Sequence, residues 1–124
     1  MRSYLPRLKS LEDSGRATLV AAIDLEANRL SLEFYRHTVC PTTEFVYVAP
    51  FTTEMPESIA FRMTNLIRRL CISCMIIITK PLAHRVYGTW ALELGLNIIM
   101  DKPISTREWV VSNLDEAKGI ADDF

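Results

Sequence analysis

The sequence predicts an α/β fold, in which parallel strands form a sheet that helices cover on both faces. Short runs rich in β-branched residues alternate with longer segments whose apolar residues recur at helical spacing. The clearest case runs from a strand over residues 75–79, through a helix over residues 84–94, to a strand over residues 97–100. A chain of 124 residues is long enough to bury one core, so we expect a single domain over residues 1–124.

The first half of the chain predicts, in order, a helix over residues 2–13, a strand over residues 18–23, a helix over residues 26–35 and a strand over residues 44–48. Pro6 fits the first helix only in its opening turn, where a missing N–H has no helical partner. Gly15 ends that helix, because glycine readily adopts the left-handed conformation of a helix end. Pro41 stops the second helix, and the β-branched and aromatic residues that follow favour a strand.

The second half predicts, in order, a helix over residues 53–70, a strand over residues 75–79, a helix over residues 84–94, a strand over residues 97–100 and a helix over residues 112–122. Thr53 and Ser112 are the predicted N-caps of the first and last of these helices. Gly95 closes the middle helix. The apolar residues of the first of these helices fall on one side, which predicts a buried face.

Composition argues against several classes of protein. Fourteen basic and fifteen acidic residues leave a net charge of −1, so no long-range field attracts nucleic acid or an anionic membrane. No uninterrupted apolar run approaches the length needed to span a bilayer, and the first residues lack the apolar region of a signal peptide. We therefore expect a soluble cytoplasmic protein that binds neither nucleic acid nor membrane.

Three cysteines, an odd number, argue against a disulfide framework. Cys71 and Cys74 have the spacing of a redox or zinc pair, but they lead into a predicted strand. On a strand, positions three apart point to opposite faces, so the two sulfurs would diverge. The prediction is that both are small buried hydrophobic residues and that they hold no metal.

Four motifs occur in an informative order, namely a strand ending at Asp24, a segment from Thr79 to His84 that opens a helix, an Ala91-Leu92 pair followed by Gly95, and Asp101-Lys102-Pro103 after the last strand. In this order and spacing they resemble the cofactor domain of the glucose-fructose oxidoreductase and inositol dehydrogenase family (Gfo/Idh/MocA). The resemblance covers essentially the whole chain, although residues 37–74 match it only in pattern.

The resemblance implies a Rossmann-like three-layer domain that binds NAD in preference to NADP and transfers hydride to or from a secondary alcohol of a sugar or polyol. Asp24 would accept hydrogen bonds from the adenosine ribose diol and repel a 2′-phosphate. Lys102 would be the catalytic residue, because its ammonium can hold the nicotinamide ribose and stabilise an alkoxide. Asp101, in place of the family's usual glutamate, would orient Lys102. The other implied cofactor-binding residues are Thr79, Pro81 and His84.

Each candidate also has a structural interpretation. Asp24 can cap the helix that starts near Glu26. His84, as a neutral imidazole, can satisfy backbone groups at the start of its helix. Asp101-Lys102-Pro103 can form an ordinary exposed turn, where these residue types are common.

The sequence lacks a Gly-x-Gly-x-x-Gly turn, the motif that lets the backbone approach a pyrophosphate. We therefore expect the usual first strand and the glycine-rich loop to be absent. Family members continue into a second, substrate-binding domain about where this sequence stops, and that domain carries the family's Asp-x-x-x-His acid/base pair, which this sequence lacks. We expect that domain to be absent as well, and the chain to be inactive by itself. We also expect a homo-oligomer, because a missing central strand leaves unpaired edges. The alternative is a non-catalytic α/β interaction domain that binds no nucleotide.

Overall fold

The structure is a computed structural model that describes residues 4–104, 106–107 and 112–120. The chain divides into two compact units, Met1–Pro50 and Phe51–Phe124. Each unit contains one pair of parallel strands, and helices precede, separate or follow these strands along the chain. The predicted α/β class and the parallel pairing are therefore confirmed.

The first unit contains, in chain order, α1 (Leu5–Asp13), β1 (Ala21–Leu25), a 3-10 turn (Glu26–Asn28), α2 (Arg29–Phe34), a π-helical turn (Tyr35–Val39) and β2 (Glu44–Val48). Pro6 lies in the first turn of α1, as its missing N–H requires. Gly15 follows α1 with a φ of 69°, the left-handed conformation expected of a helix end. The predicted residues 2 and 3 of this helix lie outside the described residues.

β1 pairs with β2 in parallel, and Asp24 lies opposite Tyr47. β1 begins three residues later than predicted because the preceding segment is held by side chains. The N–H of Leu19 donates to Glu12 Oε1 at 3.3 Å, and the carbonyl of Leu19 accepts from Thr43 Oγ1 at 2.8 Å. β1 also ends two residues later than predicted, at Leu25, so Asp24 lies within the strand. The core of this unit joins four buried residues, which come from α1, α2, the C-cap of the π-helical turn and β2: Leu5, Leu32, Cys40 and Tyr47.

The second unit contains, in chain order, α3 (Glu57–Arg69), β3 (Cys74–Ile77), α4 (Pro81–Glu93), β4 (Asn97–Met100) and α5 (Leu114–Gly119). α3 begins four residues later than predicted because Pro56 disfavours a helical residue before it. Pro56 itself is the N-cap, and its carbonyl accepts from the N–H groups of Ile59 and Ala60 at 2.9 and 3.0 Å. The predicted inner face of α3 is confirmed by the burial of Met63 and Leu66.

β3 pairs with β4 in parallel, and α4 packs against both strands. Gly95, with a φ of 72°, turns the chain from α4 into β4, as predicted. Ile77 is buried, whereas Ile76 and Ile99, which are register partners, are 36% and 58% exposed. One face of this strand pair therefore carries exposed apolar side chains, which the expectation of a sheet covered on both faces did not anticipate.

The last described helix differs from its prediction at both ends. Asn113, not Ser112, is the N-cap of α5, and its Oδ1 accepts from the N–H groups of Asp115 and Glu116 at 3.0 and 3.4 Å. Residues 121 and 122, which the prediction included, lie outside the described residues. Within the described ranges, no helix combines the length and apolar character that a membrane span requires.

Candidate functional site

The candidate site lies at the carboxyl ends of β3 and β4. Thr79 follows β3 by two residues, and Asp101 follows β4 directly. The backbone N–H of Asp101 donates to the carbonyl of Ile77 at 3.0 Å, which extends the pairing of the two strands beyond Met100. Because the strands are parallel, their carboxyl ends meet at one edge, the usual position of ligands in α/β sheets.

α4 begins at this same edge. Lys80 is its N-cap, and Pro81 is its first residue, a position where proline's fixed φ suits a helix and its missing N–H costs nothing. The carbonyl of Lys80 accepts from the N–H of Ala83 at 2.9 Å. Pro81 thus sets the start of the helix beside the ends of the two strands.

His84 connects the two strand ends. Its side chain is fully buried in the first turns of α4, with 1% of the residue exposed. Its Nδ1 lies 2.7 Å from the carbonyl oxygen of Pro103, and its Nε2 lies 3.0 Å from the carbonyl oxygen of Thr79. Both ring nitrogens therefore contact backbone oxygens of the protein, which is the structural interpretation considered for this residue.

The Asp101-Lys102-Pro103 segment forms an exposed turn beyond β4. Asp101 Oδ1 accepts a hydrogen bond from the backbone N–H of Lys102 at 2.9 Å, and the peptide bond between Lys102 and Pro103 is cis. Among the residues that the structure describes, no carboxylate lies within ion-pair distance of the Lys102 ammonium. Its charge is accordingly exposed to solvent at the edge where β3 and β4 end.

Asp24 belongs to the first unit, where it lies one residue before the end of β1. Its Oδ1 accepts from the backbone N–H of Leu25 at 2.6 Å and from Asn28 Nδ2 at 2.8 Å. These contacts tie the strand end to the 3-10 turn that follows, which is the structural role considered for Asp24. In the described part of the chain, Oδ2 of Asp24 makes no hydrogen bond.

Arg29, the first residue of α2, carries another charged group of the first unit. The Arg29 guanidinium pairs with Glu26 at 2.7 Å and stacks 4.7 Å from the centre of the Tyr47 ring. The hydrogen bond that the Arg29 guanidinium donates to Glu26 raises the pKa of Arg29, and burial raises the pKa of the Tyr47 hydroxyl. Arg29 is thus a cation with its own carboxylate partner.

The structure brings Thr79, Pro81, His84, Asp101 and Lys102 to one edge of the second unit, while Asp24 lies in the first unit.

The sequence did not predict two of the groups that contact Asp24 and His84, namely the Asn28 side chain and the Pro103 carbonyl. Asn28 lies four residues after Asp24, at the end of the 3-10 turn that follows β1, and its Nδ2 donates to Asp24 Oδ1. The sequence carries no signal for the Pro103 carbonyl, because it lies 19 residues from His84 in the chain.

The prediction for Cys71 and Cys74 is wrong, because both residues are exposed. Cys71 lies in the turn after α3, where it adopts the left-handed conformation with a φ of 51°. Cys74 is the first residue of β3. Cys40, by contrast, is buried. No group of three or more potential metal ligands occurs within the residues described.

Comparisons with known proteins identify no relative of this chain. No protein-family model matches it, and neither a curated protein nor a solved structure matches it significantly. The resemblance to the Gfo/Idh/MocA family therefore stays a prediction that rests on the residues themselves.

Proposed function

We propose that the chain is a Rossmann-like nicotinamide-dinucleotide-binding domain of an oxidoreductase that transfers hydride to or from a secondary alcohol of a sugar or polyol. NAD is the preferred cofactor, with NADP bound less well. The observation that carries the proposal is the convergence of Thr79 and Asp101-Lys102-Pro103 at the carboxyl ends of two parallel strands, joined through buried His84. This is the edge at which α/β sheets bind cofactors.

Two side chains support the proposal, each for a different part of a dinucleotide. Lys102 offers an exposed ammonium beside a strand end, where it would hold a ribose hydroxyl and stabilise an alkoxide on the substrate. Asp24 offers its Oδ2 to the hydroxyls of the adenosine ribose. The nicotinamide ring would supply or accept the hydride. The pyrophosphate has no Gly-x-Gly-x-x-Gly turn to receive it in this sequence, so we expect weak binding and no turnover by the chain itself.

NADH titration of the 124-residue chain, followed by NMR, tests the proposal. We expect the backbone signals of Thr79 and Lys102 to shift, and Lys102→Met to weaken the affinity while keeping most of the side-chain volume. Lys118→Met, which removes an exposed lysine from α5, is the matched control. The absence of shifts with the wild-type chain, or an equal loss in both variants, would contradict the proposal.

One observation favours the alternative of an interaction domain that binds no nucleotide. Ile76 and Ile99 place adjacent, exposed apolar side chains on one face of the β3–β4 pair, and exposed apolar patches commonly bind other proteins. Light scattering after size-exclusion chromatography measures whether the chain self-associates. Self-association that Ile99→Ser abolishes, in a chain without NADH binding, would support this alternative. A monomer at all concentrations would count against it.

A further inference from the structure

One edge of β3 presents main-chain groups that its partner strand does not use. The N–H of Asn97 donates to the carbonyl of Ser73 at 3.1 Å, so Ser73 faces β4. Alternate residues of a strand bond to the same neighbour in a parallel pair, so the N–H and carbonyl groups of Cys74 and Ile76 point away from β4. Within the described residues, no further strand pairs with this edge, and Cys74 and Ile76 are both exposed.

The edge of β3 also lacks the charges that protect the other strands. In the part of the chain that the structure describes, Asp24 lies in β1, Glu44 begins β2 and Asp101 directly follows β4. β3 has the sequence Cys-Met-Ile-Ile, without a charged residue, a proline or a glycine. The nearest charged residues in the chain, Arg69 and Lys80, lie five and three residues beyond its ends. Edge strands commonly carry charges or prolines that prevent pairing with other chains, and β3 carries neither.

We propose that the free edge of β3 is a self-association site, where β3 of a second copy of this chain adds as an antiparallel strand. A twofold axis through the contact makes the two copies equivalent and joins their β3–β4 pairs into one four-stranded sheet. Because β3 pairs with itself, each side chain faces a residue of the same uncharged strand, and no like charges meet. The contact uses the main chain at the edge of β3, so it depends neither on nucleotide binding nor on the apolar face that Ile76 and Ile99 form.

The size of this contact predicts a weak dimer. β3 has four residues, and a strand of that length spans about 13 Å. Stable protein interfaces bury roughly 1,200–2,000 Å² of surface, and a single short strand edge supplies only part of that area. We therefore expect a dissociation constant in the micromolar range or weaker, so that the chain is a monomer in dilute solution and a dimer in concentrated solution.

Amide hydrogen exchange of the wild-type chain, combined with sedimentation velocity, tests which groups form the contact. The N–H groups of Met75 and Ile77 face β4 and should exchange slowly at every protein concentration. Those of Cys74 and Ile76 should exchange quickly in dilute solution and at least about tenfold more slowly once the dimer forms. A dimer in which the exchange of Cys74 and Ile76 does not slow would overturn the proposal, as would a monomer at all concentrations up to about 1 mM.

Ile76→Pro gives the second measurement, because it removes the N–H that points away from β4, a position where an edge strand tolerates proline. Each dimer loses two hydrogen bonds, one from each copy, so the dimer should weaken at least about tenfold. Ile76→Val keeps the N–H and the β-branched shape, and it is the matched control that should dimerise like the wild type. Ile99→Ser, which changes the apolar face of β4, should also dimerise.

Equal dimerisation of Ile76→Pro and Ile76→Val would refute the edge contact. Loss of the dimer in Ile99→Ser would refute it as well, because the contact would then lie on the apolar face. If Ile76→Pro does not fold, the exchange measurement on the wild type decides.

Discussion

Asp24→Asn separates the local role of Asp24 from a role in ribose binding. In the native chain, Oδ1 accepts from the Leu25 N–H at 2.6 Å and from Asn28 Nδ2 at 2.8 Å. The amide oxygen of asparagine can accept both bonds, so we expect the free energy of unfolding to change by no more than about 0.5 kcal/mol. Asp24→Ala loses both bonds and should lower this free energy by about 1 kcal/mol, the usual effect of removing a side-chain cap.

The binding effect of Asp24→Asn depends on the other carboxylate oxygen. In the asparagine variant, an NH₂ group takes the place of Oδ2 and donates where the carboxylate accepted. A hydrogen bond to a charged group contributes about 1.5–3 kcal/mol. Its loss should therefore weaken NADH binding by roughly ten- to hundredfold. NADPH should lose less, because removing the carboxylate also removes its repulsion of the 2′-phosphate.

Paired titrations with NADH and NADPH, together with urea unfolding, measure both effects in the same variants. Glu54→Gln is the control, because it removes one negative charge from an exposed position. Equal losses of NADH and NADPH affinity in Asp24→Asn would refute the ribose assignment. Unchanged NADH affinity in a folded Asp24→Asn variant would refute it as well, and would leave Asp24 as a structural cap.

Two further predictions concern the packing of each unit. Met63→Ala should lower the free energy of unfolding by about 2–5 kcal/mol, because Met63 is 0% exposed. Phe61 is 70% exposed on the same helix, so Phe61→Ala should change this free energy by no more than about 0.5 kcal/mol. Equal effects in urea unfolding would show that α3 packs through a different face. A thiol reagent should modify Cys71 and Cys74 quickly and Cys40 slowly, because burial hinders access to Cys40 and raises the pKa of its thiol. Three thiols of equal reactivity in the native chain would contradict the packing of the first unit.

Local sequence signals predicted the elements whose boundaries depend on neighbouring residues. β2 and β4 have the predicted bounds, because each is a short β-branched run between residues that favour turns. Gly15 and Gly95 end helices with φ values of 69° and 72°, since only glycine adopts this conformation without steric cost. The same β-branched runs predicted that Thr79, Asp101 and Lys102 lie near the carboxyl ends of strands.

Contacts between distant residues decided the remaining features. The late start of β1 depends on Thr43, which lies 24 residues from Leu19 in the chain. The exposure of Cys71 depends on the left-handed turn after α3, which neither its apolar character nor its spacing from Cys74 indicates. Spacing along the chain could not reveal these features, because it carries no information on which side chain meets which backbone group.

The sequence by itself determined the α/β class, the order of the strands and helices, and the positions of Asp24, Thr79 and Lys102 near strand ends. These depend on local periodicity and turn chemistry. Only the tertiary structure decided how the candidates are used. In the tertiary structure, one carboxylate oxygen of Asp24 accepts hydrogen bonds from Leu25 and Asn28. Both ring nitrogens of His84 lie against backbone carbonyls, which are 5 and 19 residues away in the chain. The physical reason is that a hydrogen-bonding group finds its partners in space, and folding alone brings those partners together.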